Sequence, residues 1–314
     1  MNDRCFSANL HEALESALRQ LRGNDFKLHA LRPLNEQGSG SSAQTALASD
    51  GKEQYFVKLL PASAHDQLLA ESDGLLALGR CPAFRVPQPL ACGLSTDGDL
   101  ADRQAFLVSE YLPLQAVQPE NGARAAEALA ALHQLEGEQF GWHRDNWLGN
   151  SPQSNPFASN WALFFAEHRL RPQFERARAL GHERELIRQG ERLYARVPAQ
   201  FLDYRPRPSL LHGDLWHGNI AQLADGSPVI FDPAVHYGDR ESDLAMSELF
   251  GGLPASFYAA YRRQWPLDDD YELRKPLYSL YHILNHLNLF GRSYLREAMR
   301  LATRLNEMLT RRRD

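Results

Sequence analysis

Leu210-Leu211-His212-Gly213-Asp214-Leu215-Trp216-His217-Gly218-Asn219, followed by Val229-Ile230-Phe231-Asp232-Pro233, is the stretch on which the fold reading turns. A carboxylate, an amide five residues later and a second carboxylate thirteen beyond that form a set suited to phosphoryl transfer. Asp214 can accept the proton of an attacking hydroxyl, while Asn219 and Asp232 offer hard oxygen atoms to Mg2+. The ion in turn offsets charge on departing phosphate oxygens, which is largely an electrostatic task. Surface turns flanking a hairpin are also rich in Gly, Asp and Asn. What favours catalysis is Asp232 closing an apolar strand at this offset.

The spacing equals that between a kinase catalytic loop and its metal-binding Asp. Such a site needs a cation on the nucleotide phosphates, held by an acid on the next helix. Lys58 lies inside the apolar run Tyr55-Phe56-Val57-Lys58-Leu59, where an unpaired ammonium would be costly, and Glu71 follows on a helical stretch. Asp66 and Asp73 are rival partners on that stretch. Gly38-Ser39-Gly40-Ser41-Ser42 can approach phosphates closely and donate amides, which places Gly38 and Gly40 with the nucleotide, ATP. A hinge near Glu110 to Pro113 adds Glu110 and Leu112. His212 is expected to orient the catalytic turn, and Asp243 to anchor it from the following helix. His282 and His286 are spaced i, i+4, but the residues between them include no Glu of the HExxH type, so zinc is not expected.

Working outward, residues 7 to 21 carry a helical stripe of Leu10, Leu14, Leu18 and Leu21 with Ser7 as N-cap. Strands are expected over 26–34, 43–48, 55–60 and 106–112, with Asp50-Gly51 as a hairpin turn and a helix over 64–78. Beyond Pro113 the pattern is mostly helical (120–135, 160–179, 182–197, 241–250 and two helices over 270–309), broken by short extended pieces at 209–212, 219–223 and 229–232. This predicts an α+β, bilobal architecture: a β-rich lobe over 1–112, a mainly helical lobe over 113–314, and the site in the cleft between them.

Composition agrees with a globular chain of 314 residues, 43% hydrophobic and 23% charged. Its 34 basic and 39 acidic residues give a net charge of −5, without the broad basic footprint of a nucleic-acid binder. The basic run Arg311-Arg312-Arg313 reads as a solvated helix end. Cys5, Cys81 and Cys92 form no CxxC pair. No long apolar run predicts a membrane span or a secretory signal, so the cytoplasm is the default compartment. A monomer or weak homodimer is expected.

The sequence resembles the fructosamine-3-kinase and ketosamine-3-kinase family, within the aminoglycoside-phosphotransferase and protein-kinase-like group. The resemblance rests on LLHGDLWHGN (210–219), FDPAVHYGDRESDLAM (231–246), NHLNLFG (285–291), GWHRDNWLGNSPQSN (141–155) and WALFFAEHRLRPQ (161–173). It implies ATP- and Mg2+-dependent phosphorylation of the 3-hydroxyl of ketosamines, free or on protein lysines, leading to deglycation. By motif, Asp214 is the base, Asn219 and Asp232 the metal ligands, Lys58 the phosphate-binding lysine and Glu71 its partner. Trp216 would then offer an apolar face to the sugar adduct; a core tryptophan at the lobe junction is the other reading. QGSGSS is not a strict protein-kinase loop, and Asp232 is followed by Pro233-Ala234 rather than Phe-Gly, which suggests a site without in/out switching. A related aminoglycoside or choline kinase, or a nucleotide-sensing binder without activity, are the rivals.

Overall fold

The computed structural model describes residues 6–34, 43–96 and 103–311. Helix α1 (Ala8–Arg22) begins where Ser7 Oγ accepts the Leu10 amide at 3.1 Å, and its stripe of Leu10, Leu14 and Leu18 is fully buried. That stripe packs on an antiparallel sheet made of β1 (Ala30–Pro33), β2 (Gln44–Ser49), β3 (Gln54–Pro61), β4 (Pro89–Leu94) and β5 (Gln104–Glu110), in the order β1-β2-β3-β5-β4. The β2–β3 hairpin turns at Asp50, whose Oδ1 accepts the amides of Lys52 and Glu53, with Gly51 at φ 87°. Strand alternation sends Tyr55, Val57 and Leu59 of β3 towards α1. Lys58 and Leu60 therefore take the other face, where α2 (His65–Leu78) lies.

Two expectations change here. The run 26–34 pairs only over Ala30–Pro33, because Phe26 and Leu28 are buried against α1 as a connector and need no ladder. Residues 82–89 break the helix as read, but β4 then follows unannounced, with Pro89 as the first residue of an edge strand, where a missing N–H is tolerated.

After β5 the chain is mainly helical: α3 (Gly122–His133), a small hairpin of β6 (Asn146–Leu148) and β7 (Ser151–Gln153), α4 (Trp161–Phe165), α5 (Arg171–Ala179) and α6 (Arg184–Tyr194). The expected helix over 160–179 is one run interrupted by a π-helical turn at Ala166–Leu170, just before Pro172, which cannot donate to the helical ladder. Then come β8 (Ser209–Leu211), β9 (Ile220–Gln222), β10 (Pro228–Ile230), β11 (His236–Gly238), α7 (Glu241–Leu249), α8 (Ala255–Gln264), α9 (Tyr271–Phe290) and α10 (Leu295–Arg311). The sequence reading did not anticipate β6, β7, β11 or α8.

Among the described residues, one apolar core runs from Leu60, Leu68 and Leu107 to Leu210, Ile220, Ile230 and Val235, so the sheet and the short strand pairs of the second half share one interior. Backbone bonds cross the same junction. The Arg85 amide donates to Pro228 O at 2.9 Å, and Gln115 and Gln222 exchange bonds of 2.9 and 2.8 Å. Among the described residues, no helix is long and apolar enough to cross a membrane.

Candidate active site

Two short antiparallel pairings bring distant residues together. β9 and β10 form a hairpin, and the Phe231 amide donates to Asn219 O at 3.2 Å, so Asn219 and Asp232 lie side by side at its open end. β8 pairs with β11, and the Ala234 amide donates to His212 O at 2.8 Å, which sets the His212–Asp214 turn against the segment after Asp232. This approach is close enough to require glycine. Gly213 has φ 83°, and a Cβ there would lie 2.0 Å from Ala234 O.

Asp214 and Asn219 touch directly: Asn219 Nδ2 donates to Asp214 O at 2.9 Å and to Asp214 Oδ2 at 3.2 Å. The donor side of the amide is thus engaged with Asp214, which leaves its oxygen for a cation. Lys58 Nζ donates to Glu71 Oε2 at 2.7 Å and to Asp232 Oδ1 at 3.1 Å. One ammonium thus links the sheet, α2 and the Asp232 turn. Asp73 is directed elsewhere, which resolves the choice of acid in favour of Glu71.

The electrostatics follow from this crowding. Burial and the nearby carboxylates of Asp232 and Asp243 push Asp214 up to about 7, against the Asn219 hydrogen bond and Lys58. Burial works against the Lys58 ammonium, yet Asp232 and Glu71 outweigh it and hold Lys58 charged. Glu71, buried and sharing that ammonium with Asp232, is raised. Burial also lowers His212, keeping the ring neutral. Its Nδ1 accepts the Asp214 amide at 3.2 Å, so its proton sits on Nε2 and is donated to Phe231 O at 2.9 Å.

Asp243 accepts the amides of His212 at 2.7 Å and Gly213 at 2.9 Å, and faces His133 Nε2 at 3.2 Å. Burial would raise its pKa, but these partners, His133 foremost, overcome that and keep it low. His212 and Asp243 both hydrogen-bond to the backbone of the turn. Trp216 is half-buried and outside the apolar cores; its ring lies over Gly218 and 4.8 Å from the His217 ring. The Glu110 amide donates to Gln88 O and its carboxylate pairs with Arg85, while Leu112 is half-buried in the linker after β5. Gly38 and Gly40 lie outside the described residues. Sequence reasoning missed His133 and Arg85, whose partners are far along the chain and leave no periodic signal.

Comparison with known proteins adds a decisive observation: the profile of the fructosamine kinase family matches residues 10–308. The chain belongs to the fructosamine kinase family. Among relatives of this fructosamine kinase family chain, a Synechocystis protein named "Probable ketoamine kinase slr1563" is 40% identical over 92% of this chain and 95% of its own. A Vibrio cholerae "Probable ketoamine kinase" is 36% identical, covering 93% and 98%. The crystal structure of a "Putative fructosamine-3-kinase" from Haemophilus somnus 129PT superimposes with a TM-score of 0.82 at 29% identity, covering 93% and 96%. An aminoglycoside phosphotransferase, APH(2'')-IIa, shares the kinase-like fold at a TM-score of 0.62 and 14% identity. These matches bear out a kinase with the expected bilobal, protein-kinase-like fold.

Proposed function

We propose that this kinase uses Mg-ATP to phosphorylate the 3-hydroxyl of ketosamines (fructosamine, ribulosamine or erythrulosamine adducts, free or on protein lysines). The observation that carries the reading is the joined set Asp214–Asn219 and Asp232–Lys58–Glu71, in a chain of the fructosamine kinase family. In this reading residues 1–112 form the nucleotide-binding lobe and 113–314 the catalytic and acceptor-binding lobe.

The donor set suits Mg2+. Among the described residues no cluster of three or more His, Cys, Asp or Glu could hold a metal alone. An ion held by one carboxylate, one amide oxygen and the phosphates it serves would need only two protein ligands. Asn219 and Asp232 would hold it, and when bound it neutralises charge on the transferring phosphoryl group. Lys58, aligned by Glu71, binds the phosphates of ATP. The linker from Glu110 to Leu112 meets the adenine base. Asp214 takes the proton of the sugar hydroxyl as its oxygen attacks the γ-phosphorus and the bond to the β-phosphate oxygen breaks, releasing ADP. Trp216 offers its indole face to the sugar adduct. Tautomerisation of the product across C1–C2 makes the C3–O bond allylic. Phosphate can then leave with that electron pair, and hydrolysis of the resulting imine frees the amine. The protein thereby acts in deglycation, in the cytoplasm, as a monomer or weak homodimer.

The test is phosphate transfer to synthetic ketosamines with 31P NMR assignment of the product. Turnover confined to aminoglycosides or choline would replace this reading with the related small-molecule kinase. Asp214→Asn should lower kcat by about 10²–10⁴-fold while Mg-ATP still binds, as expected for loss of a general base.

A further inference from the structure

Glu71 serves Lys58 only if α2 lies against the sheet with the correct turn facing inwards, and the surroundings of α2 show what holds it there. Gln67, one turn before Glu71, donates to Gly149 O at 2.9 Å. Asp73, just after Glu71, accepts the Trp142 indole N–H on Oδ2 at 2.8 Å, and His143 Nε2 lies 3.3 Å from the same oxygen. Arg144 reaches the Asp66 carbonyl at 3.5 Å. A Cβ added at Gly74 would lie 3.0 Å from Pro233 Cγ and 3.2 Å from Val235 Cγ2, so the segment after Asp232 rests directly on the helix.

The strap at residues 141–150 is itself fastened to that segment. Gly141 and Tyr237 exchange backbone bonds of 2.9 and 2.8 Å, and Asn146 Nδ2 donates to Val235 O at 2.7 Å. Trp142 is 8% exposed, with its ring 5.3 Å from that of Tyr237, so its N–H has little water to turn to if Asp73 is lost. The stretch carrying Asp232 thus anchors a strap whose far side grips α2 on either flank of Glu71.

We propose that the Trp142–Asp73 contact positions α2, and through it the Lys58–Glu71 pair, making Trp142 and Asp73 positioning residues for the phosphoryl donor. This rests on the nucleotide role of Lys58 proposed above. The device explains how a kinase with Pro233-Ala234 after its metal aspartate keeps the helix in place: α2 is tied to the same segment as Asp232.

The experiment measures Mg-ATP affinity by titration calorimetry on the full chain, together with steady-state kinetics on a ketosamine acceptor. Trp142→Phe keeps an aromatic ring, though a smaller one, and removes the donor; Asp73→Ala removes the acceptor, and Asp73→Asn retains an acceptor oxygen. Trp142→Phe and Asp73→Ala should each weaken Mg-ATP binding by roughly tenfold, the size expected for a hydrogen bond to a charged group. The acceptor KM should stay unchanged, and Asp73→Asn should recover most of the loss. In a Glu71→Gln background, Trp142→Phe should add no further weakening, because both changes act through one pair. Wild-type affinity in both Trp142→Phe and Asp73→Ala, or losses that add fully to Glu71→Gln, would overturn the proposal. If the wild type binds no Mg-ATP, the nucleotide reading itself fails, and that result is separate from any difference among variants. Should Trp142→Phe not fold, as judged by its thermal transition, Asp73→Ala reads the same contact.

Discussion

Asp232 has φ 55°, the one left-handed backbone conformation outside glycine among the described residues. An L-residue there costs on the order of 1–3 kcal/mol and persists because its surroundings fix it. Here the fixing is visible on both sides, with Phe231 bonded to Asn219 and Ala234 to His212. The turn opposite is just as constrained. Gly213→Ala would force a methyl into Ala234 O at a positive φ, and should lower stability by more than about 2 kcal/mol in urea unfolding. Asp243→Ala would strand the buried amides of His212 and Gly213. At about 1–3 kcal/mol for each group left without a partner, the variant should show a clearly lower unfolding midpoint and little turnover.

Among the elements, α1 shows how far local pattern reaches. Leu10, Leu14 and Leu18 of its stripe and its Ser7 cap were legible because both depend on residues three or four apart, while Leu21, expected on the same stripe, is exposed in the last turn. Leu14→Ala should cost about 2–5 kcal/mol, since the side chain is fully buried between helix and sheet. Ser7→Ala should cost only about 1 kcal/mol. Chemical denaturation of the two variants checks the ratio. Elements that exist only as partners were not legible. β11 is three residues long and pairs with the distant β8, and β4 is held by β5, so neither has enough periodicity of its own to announce itself.

For the whole molecule, burial of titratable groups links stability to pH. Burial drives His236 and His282 down to about 3, well below an exposed histidine. For such a group the unfolded chain takes up a proton near pH 6.5 while the folded chain refuses it. Its contribution is therefore complete above 6.5 and is lost as pH falls from 6.5 towards 3. Asp214, raised to about 7, acts in the opposite sense: the fold holds its proton more tightly, so its contribution is complete below about 4 and is lost as pH rises through 7. Comparison of variants separates the two. The stability difference between wild type and His236→Gln should change by about 1.4 kcal/mol per pH unit between pH 6 and 4, the wild type losing ground as pH falls. A difference that stays constant across that range would show that His236 is not held neutral.

Sequence alone determined which residues stand out as candidates for the site. Asn219 and Asp232 flank the β9–β10 hairpin, Asp214 lies five residues before Asn219, and Lys58 and Glu71 sit on a strand and the helix after it, so each grouping is a matter of local spacing, whereas the Lys58–Asp232 contact that joins them is tertiary. Only the tertiary structure decided what braces that set: His133 beneath Asp243, Arg85 on Glu110, and Trp142 on Asp73. The reason is physical. Helical and strand periods constrain neighbours a few residues apart, whereas a buried polar group takes whichever partner the packed core brings within about 3 Å, however distant along the chain.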